Sequence, residues 1–135
     1  MQAIKLTETI AVSRQISPEQ VAGIAAAGFR VLVNNRPDGE EPGQPGSAQI
    51  GAAALAAGLE YHHLPVTALD FPGPGVAQMA ALFDDVSRPV YAFCRSGTRC
   101  ANLWVATRGA PSRQEAAALA RAAGFDLGMA ARCGA

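Results

Sequence analysis

Short apolar runs alternate along the chain with segments in which apolar residues recur at helical spacing. The short runs, bounded by turn residues, predict buried strands, and the helical spacing predicts helices that pack on them. Strands are predicted at residues 4–6, 10–12, 30–34, 61–66 and 90–93. Helices are predicted after Ser17, over 47–57, from Val76 to the residue before Pro89, over 98–107 and after Ser112.

Capping and turn residues support this alternation. Ser17, Pro18 and Gln20 have the pattern of a capping box with proline in the first helical turn. The segment 35–46 is dense in proline, glycine and acidic residues, which predicts a surface loop. Strands that alternate with helices of about ten residues imply right-handed crossovers. We therefore predict one α/β domain over residues 1–135, a three-layer sandwich whose mainly parallel central sheet carries helices on both faces.

Composition narrows the function classes. The chain has 135 residues, of which 50% are apolar and 16% charged, and 11 Lys and Arg balance 11 Asp and Glu. A protein that neutralises many phosphates needs a basic excess, so nucleic acid is not an expected partner. No run approaches the roughly 18 apolar residues of a membrane span, and the first residues lack signal-peptide features, so we expect no membrane partner and a cytoplasmic location. The 3 cysteines have no metal-ligand spacing, so we expect reduced thiols, no metal and no cofactor.

The loop after the fifth predicted strand carries the strongest chemical signal. Ligands of parallel sheets collect at the carboxyl ends of the strands, where the loops from Asn35, Thr67 and Cys94 begin. Backbone N–H groups at a strand-to-helix turn hold anions, and the same field lowers the pKa of a thiol. Cys94 is therefore the predicted nucleophile, active without a histidine base, although a small buried cysteine at a strand end is the simpler interpretation. Its predicted anion-binding neighbours are Arg95, Ser96, Gly97, Thr98 and Arg99.

Residues on the other two loops are weaker candidates. Asp70 lies on the loop from Thr67, where its carboxyl group is a candidate general acid, but it equally fits a turn aspartate. Arg36 leaves the third strand at the same sheet edge and is a candidate anion ligand. With Asp38 it fits an ion pair or a solvated turn as well. His62 and His63 are adjacent in a strand, so their side chains point to opposite faces and cannot form one metal site.

The remaining cysteines and the tryptophan have structural interpretations too. Cys100 is a candidate resolving thiol for an oxidised or persulfidated Cys94, or a buried helix residue. Cys133 stands in a glycine- and alanine-rich tail, where it fits an exposed thiol without a role. Trp104 is predicted to belong to the core.

Three segments resemble known families. The sequence Cys-Arg-Ser-Gly-Thr-Arg at 94–99 is similar to the active loop of rhodanese-type sulfurtransferases and to the Cys-x5-Arg loop of tyrosine and dual-specificity phosphatases. Together with 31–40 and 61–66, it resembles the beta-lactamase hydrolase-like protein, phosphatase-like domain family. This resemblance implies a cysteine-phosphatase-like fold. Members are also described as sulfur transferases, and some are fused to persulfide dioxygenases.

Two departures from the phosphatase pattern favour sulfur transfer. Only four residues separate Cys94 from Arg99, and Cys100 stands where a hydroxyl residue commonly follows the arginine. The leading prediction is a sulfurtransferase that forms a persulfide on Cys94 from a small sulfur donor and passes it to a thiol acceptor, with a persulfide dioxygenase as a further partner. The alternative is a phosphatase that hydrolyses phosphoesters through a phosphocysteine, with Arg99 holding the phosphoryl group and Asp70 as acid. A redox-sensing module with a Cys94–Cys100 disulfide is the third hypothesis.

Overall fold

The computed structural model describes residues 3–109 and 112–132, and five strands form its central sheet. The strands are β1 Ile4–Thr7, β2 Ile10–Ser13, β3 Val31–Asn34, β4 Glu60–His63 and β5 Val90–Phe93. Their order in the sheet is β1-β2-β5-β3-β4. β1 runs antiparallel to β2, and the other neighbouring strands are parallel. The mainly parallel sheet is thus confirmed, with one antiparallel edge strand.

Helices cover both faces of this sheet. The helices are α1 Val21–Ala26, α2 Ser47–Ala56, α3 Val76–Asp84, α4 Thr98–Ala106, α5 Ser112–Ala122 and α6 Gly128–Ala131, and a 3-10 turn at Pro18–Gln20 precedes α1. Side chains of α1 and α2 pack on one face, and those of α3 to α6 pack on the other. The predicted three-layer α/β sandwich is therefore confirmed. No helix within the described residues is long and apolar enough to cross a membrane.

The central strand β5 shows why both faces must be covered. Val90 and Ala92 point into the core with α3 to α6, whereas Tyr91 and Phe93 point into the core with α1 and α2. All four side chains are buried, as expected for an interior parallel strand. The chain leaves β5 in the middle of the sheet, so the residue that follows, Cys94, emerges between the ends of β2 and β3.

Two elements end several residues before their predicted bounds. β4 ends at His63 instead of Val66, because Pro65 has no N–H group with which to continue the ladder. The extended chain nevertheless follows β3, since the Leu64 N–H donates to Asn34 O at 2.9 Å. Val86 was predicted on the apolar face of α3, but it lies past the end of that helix and is 70% exposed.

The loop over 35–46 is only partly the surface segment that its composition predicts. Its later residues are exposed or half-buried, but Asn35 and Arg36 are fully buried at its start. The prediction was wrong for these two because the Asn35 side-chain NH2 and the Arg36 guanidinium find partners within the protein, although Asn35 Oδ1 is buried without one among the described residues. The Asn35 amide donates to Leu64 O at 2.9 Å, and the Arg36 guanidinium is paired with acidic side chains.

Candidate active site

Cys94 is held by backbone contacts from two directions. It follows β5 directly, and its N–H donates to Ser13 O at 3.3 Å. One residue on, the Gln15 N–H donates to Arg95 O at 3.4 Å. From the opposite side the Gly97 N–H donates to the Cys94 sulfur at 3.1 Å. The buried sulfur therefore faces the N-terminus of α4, as the sequence predicted for a nucleophile in an anion-binding loop.

The surroundings of the Cys94 sulfur favour the thiolate. Its pKa is lowered to about 5, first by a hydrogen bond from the Cys100 side chain, then by the backbone N–H groups of Cys100 and Ser96 and by the charge of Arg99. Burial opposes this shift but does not overcome it. Burial also raises the pKa of Cys100 well above its usual range, so Cys100 keeps its proton and can donate it in a hydrogen bond. Cys94 is therefore a thiolate at neutral pH beside a neutral thiol.

Arg99 is oriented by a carboxylate that sequence reasoning missed. Its Nη1 and Nη2 donate to the two carboxylate oxygens of Glu40 at 2.8 and 2.7 Å, and Nη1 also donates to Val66 O at 3.0 Å. The hydrogen bond from Arg99 is the main reason that the pKa of Glu40 falls to about 2. This bidentate contact fixes the plane of the Arg99 guanidinium. The sequence signal that could have indicated this ion pair is the position of Glu40 on the loop after β3, at the same sheet edge as Arg99.

Arg36 supports this arrangement from inside the protein. Its Nε donates to Glu40 at 2.8 Å, its Nη2 to Glu41 at 2.9 Å and its Nη1 to Gln15 at 3.0 Å. Because Arg36 is 1% exposed, the solvated-turn interpretation is wrong. The role of Arg36 as an anion ligand stays a prediction, because in this structure the guanidinium is occupied by protein partners and holds Glu40, which in turn holds Arg99. The ion pair is therefore what the structure shows, although with the glutamates and not with Asp38.

Asp70 is placed in a turn. Its Oδ1 accepts hydrogen bonds from the Thr67 N–H at 2.8 Å and from the Thr67 hydroxyl at 2.9 Å. These bonds lower the pKa of the carboxyl group, the backbone one most. The turn-aspartate interpretation therefore describes the contacts in this structure, and a role as general acid stays a prediction. The loop itself begins at the site, since Val66 directly precedes it and its carbonyl contacts Arg99.

The other candidate residues have separate partners. The Ser96 hydroxyl donates to the Thr98 hydroxyl at 3.0 Å, and Arg95 is largely exposed, 3.8 Å from Glu41. Asp38 accepts a hydrogen bond from the first N–H of α2, while Trp104 is 3% exposed, as predicted for the core. His62 contacts Glu60 and Gln78, whereas His63 contacts Arg36 O. Cys100 is fully buried, and Cys133 lies outside the described residues.

The sequence of this chain matches a family of known domains. The model of the beta-lactamase hydrolase-like protein, phosphatase-like domain matches residues 3–111. The chain belongs to this family. Beta-lactamase hydrolase-like proteins of Agrobacterium fabrum and Xylella fastidiosa are 34% and 35% identical over 98% and 96% of the chain. The chain spans 31% of the length of each of these two relatives.

Solved structures place this family member among cysteine phosphatases in fold. A candidate phosphatase from Neisseria meningitidis is 38% identical, with a TM-score of 0.79 over 97% of this chain and 95% of its own. PTPMT1 in complex with PI(5)P has a TM-score of 0.71 over 97% and 93%, but at 13% identity it shows the fold alone. These matches support the phosphatase alternative and give no support to the sulfurtransferase prediction, so the preference for sulfur transfer is corrected.

The structure also shows how the two departures from the phosphatase pattern affect the site. At the shorter spacing the charge of Arg99 still acts on Cys94, because it lowers the pKa of the thiol. Without a hydroxyl residue after the arginine, the Cys94 sulfur still has a donor, because the Gly97 N–H donates to it at 3.1 Å. Neither departure therefore counts against the phosphatase alternative.

Gly97 is expected to be required for the loop geometry. Its φ is +91°, and a Cβ there would lie 3.4 Å from the backbone of Ser13 and 3.3 Å from the Phe125 ring. Gly124 has a similar φ of +98° but open space around it, so Gly124→Ala isolates the conformational cost. We expect Gly124→Ala to lower the free energy of unfolding by about 1–2 kcal/mol. Gly97→Ala should lower it by about 1–3 kcal/mol more because of crowding, as measured by urea unfolding. Equal losses in the two variants would contradict the crowding argument.

Proposed function

We propose that this protein is a cysteine-dependent phosphatase that hydrolyses phosphomonoesters through a phosphocysteine on Cys94. The observation that carries the proposal is a stabilised thiolate at the N-terminus of α4, next to an arginine held in a fixed orientation. A phosphoryl group has three peripheral oxygens that need donors, and a loop of N–H groups with one arginine supplies them.

The first step is transfer of the phosphoryl group to sulfur. The Cys94 thiolate attacks phosphorus, the P–S bond forms, and the P–O bond to the leaving group breaks. The loop N–H groups and Arg99 bind the phosphoryl oxygens as their charge redistributes. The oxygen of the leaving group carries the electron pair away and takes a proton, for which Asp70 is the proposed donor once its carboxyl group leaves Thr67.

The second step returns the enzyme to its starting state. A water molecule attacks phosphorus and gives a proton to the Asp70 carboxylate, the P–S bond breaks, and inorganic phosphate forms. The electron pair returns to the Cys94 sulfur, which leaves as a thiolate. The Gly97 N–H donates to this sulfur, stabilises its charge and thereby favours this departure.

A side-by-side assay tests the proposal against sulfur transfer. Wild-type protein would be given para-nitrophenyl phosphate in one reaction and thiosulfate with cyanide in another. We expect catalytic release of phosphate and no catalysed formation of thiocyanate. A phosphocysteine trapped in acid and located on Cys94 by mass spectrometry would complete the result. Thiocyanate formation with a persulfide on Cys94, and without phosphate release, would overturn the proposal.

Asp70→Asn tests the proposed proton donor. Protonation matters most when the leaving group is a poor one, so the variant should lose about 10²–10⁴-fold in kcat with phenyl phosphate and much less with para-nitrophenyl phosphate. Asp85→Asn is a matched control, because Asp85 accepts the same pair of bonds from the Ser87 N–H and hydroxyl but follows α3, at the other end of the sheet. Equal losses with both esters, or none, would remove Asp70 from the role.

A further inference from the structure

A cavity of about 230 Å³ lies beside the loop that carries Cys94. It touches this loop directly, because Ser96 lines it and the ring of Phe125, another lining residue, packs against Gly97. A cavity of roughly 150 Å³ holds a benzene ring, so this space is large enough for the organic part of a small ester. Its lining residues are Ala3, Ile4, Ser13, Arg14, Ser96 and Phe125.

Arg14 gives this cavity a positive edge. It follows β2, and the segment over 13–15 runs beside Cys94 and Arg95 through two backbone hydrogen bonds. Arg14 is exposed, and its guanidinium forms no ion pair with any residue in 3–109 or 112–132. Arg36, by contrast, is committed to Glu40 and Glu41. Arg14 is therefore a cation near the nucleophile whose charge is available to a ligand.

The other exposed arginine near the site lies in a different direction. Arg95 approaches Glu41, which stands on the loop after β3. In the sheet, β2 and β3 lie on opposite sides of β5. The side of the Cys94 loop next to β2 thus combines apolar surface from Ile4 and Phe125 with the charge of Arg14, and the side next to β3 does not.

We propose that this cavity receives the leaving group of the substrate and that Arg14 recognises a second anionic group on it. The inference rests on the proposed phosphatase function and deepens it. The substrate class is then a phosphomonoester whose apolar body carries a further anion, such as a carboxylate or a second phosphate. An exposed guanidinium contributes modestly to such recognition and does so through specificity more than through affinity.

The test compares two esters of similar shape, one with an anionic group and one with a neutral group. The esters are meta-carboxyphenyl phosphate and its neutral amide, meta-carbamoylphenyl phosphate, assayed at low ionic strength. We expect wild-type kcat/KM to be about three- to fivefold higher for the carboxylate. Arg14→Gln should abolish this preference, Arg14→Glu should reverse it, and added salt should weaken it in the wild type. Arg30→Gln is the control, because Arg30 is an exposed arginine just before β3, at the opposite end of the sheet.

The outcomes separate this inference from the proposed function. Hydrolysis of both esters without a preference, or a preference that survives Arg14→Gln, overturns the role of Arg14 and leaves the phosphatase intact. Hydrolysis of neither ester overturns the phosphatase. Binding of the same esters to Cys94→Ser protein, measured by calorimetry, then decides the role of Arg14 alone: tighter binding of the carboxylate that Arg14→Gln removes supports it, and equal binding overturns it.

Discussion

Replacing Cys94 with serine is expected to lower phosphomonoester hydrolysis by about 10⁴-fold or more, because removal of a covalent nucleophile leaves only binding and electrostatic stabilisation. A serine hydroxyl at this position has no base to remove its proton, whereas the cysteine is ionised by its surroundings. Initial rates with para-nitrophenyl phosphate give the loss. The fold should survive, since Cys94 and its serine replacement are close in size, and circular dichroism with urea unfolding checks this.

The same pair of proteins measures the thiolate directly. A phosphomonoester itself titrates near pH 6, so the rate profile mixes two ionisations. The ultraviolet absorbance of the thiolate, taken as wild type minus Cys94→Ser, reports the enzyme alone. We expect it to rise with pH around a pKa of about 5, because the hydrogen bonds and the arginine favour the charged form. A midpoint near the ordinary value of 9.0, or rapid hydrolysis by the serine variant, would contradict the assignment of Cys94.

Replacing Arg99 with lysine is expected to lower kcat/KM by about 10²–10³-fold although the charge is kept. Lysine is a point charge on a flexible stem and cannot bind two oxygens in one plane. In this protein the loss in kcat/KM should exceed that of the phosphoryl contact alone, because lysine also loses the bidentate bond to Glu40. That bond fixes the orientation of the Arg99 guanidinium. Rates with para-nitrophenyl phosphate, together with product inhibition by inorganic phosphate, give the effect on catalysis and on anion binding.

Arg108→Lys is the matched control for Arg99→Lys. Arg108 follows α4, its side chain is 16% exposed against 14% for Arg99, and it pairs with Asp84 at 2.8 Å. It lies at the far end of that helix, so Arg108→Lys should leave hydrolysis at the wild-type rate while testing the general effect of such a replacement on stability. Wild-type activity and phosphate affinity in Arg99→Lys would show that Arg99 does not hold the phosphoryl group.

The fold was predictable because its signals are local. The apolar run at 90–93 and the helical spacing after Thr98 are set by neighbours in sequence, and both appear in the structure within a residue of the predicted bounds. The errors occurred where distant residues decide. Arg36 appeared to belong to a surface loop because nothing nearby in sequence indicates that Gln15, Glu40 and Glu41 would together satisfy its guanidinium inside the protein.

The reaction was harder to predict than the nucleophile, for the same reason. The spacing of Cys94 and Arg99 and the identity of Cys100 are sequence facts, but whether they prevent phosphoryl binding depends on where their side chains lie. In the folded protein Glu40 orients Arg99, the charge of Arg99 lowers the pKa of Cys94, and the Gly97 N–H donates to the Cys94 sulfur. Counting residues between a cysteine and an arginine does not reveal these contacts.

The sequence by itself determined the layered α/β fold, the exit of Cys94 from a buried strand and the N–H groups that face it, because these follow from the periodicity of the chain and from the start of a helix. Only the tertiary structure decided that Glu40 orients Arg99, that Arg36 is buried behind a pair of glutamates, and that Arg14 borders a cavity beside the loop. The physical reason is that β2, β3 and β5 are far apart in sequence but end at one edge of the sheet, where their loops meet.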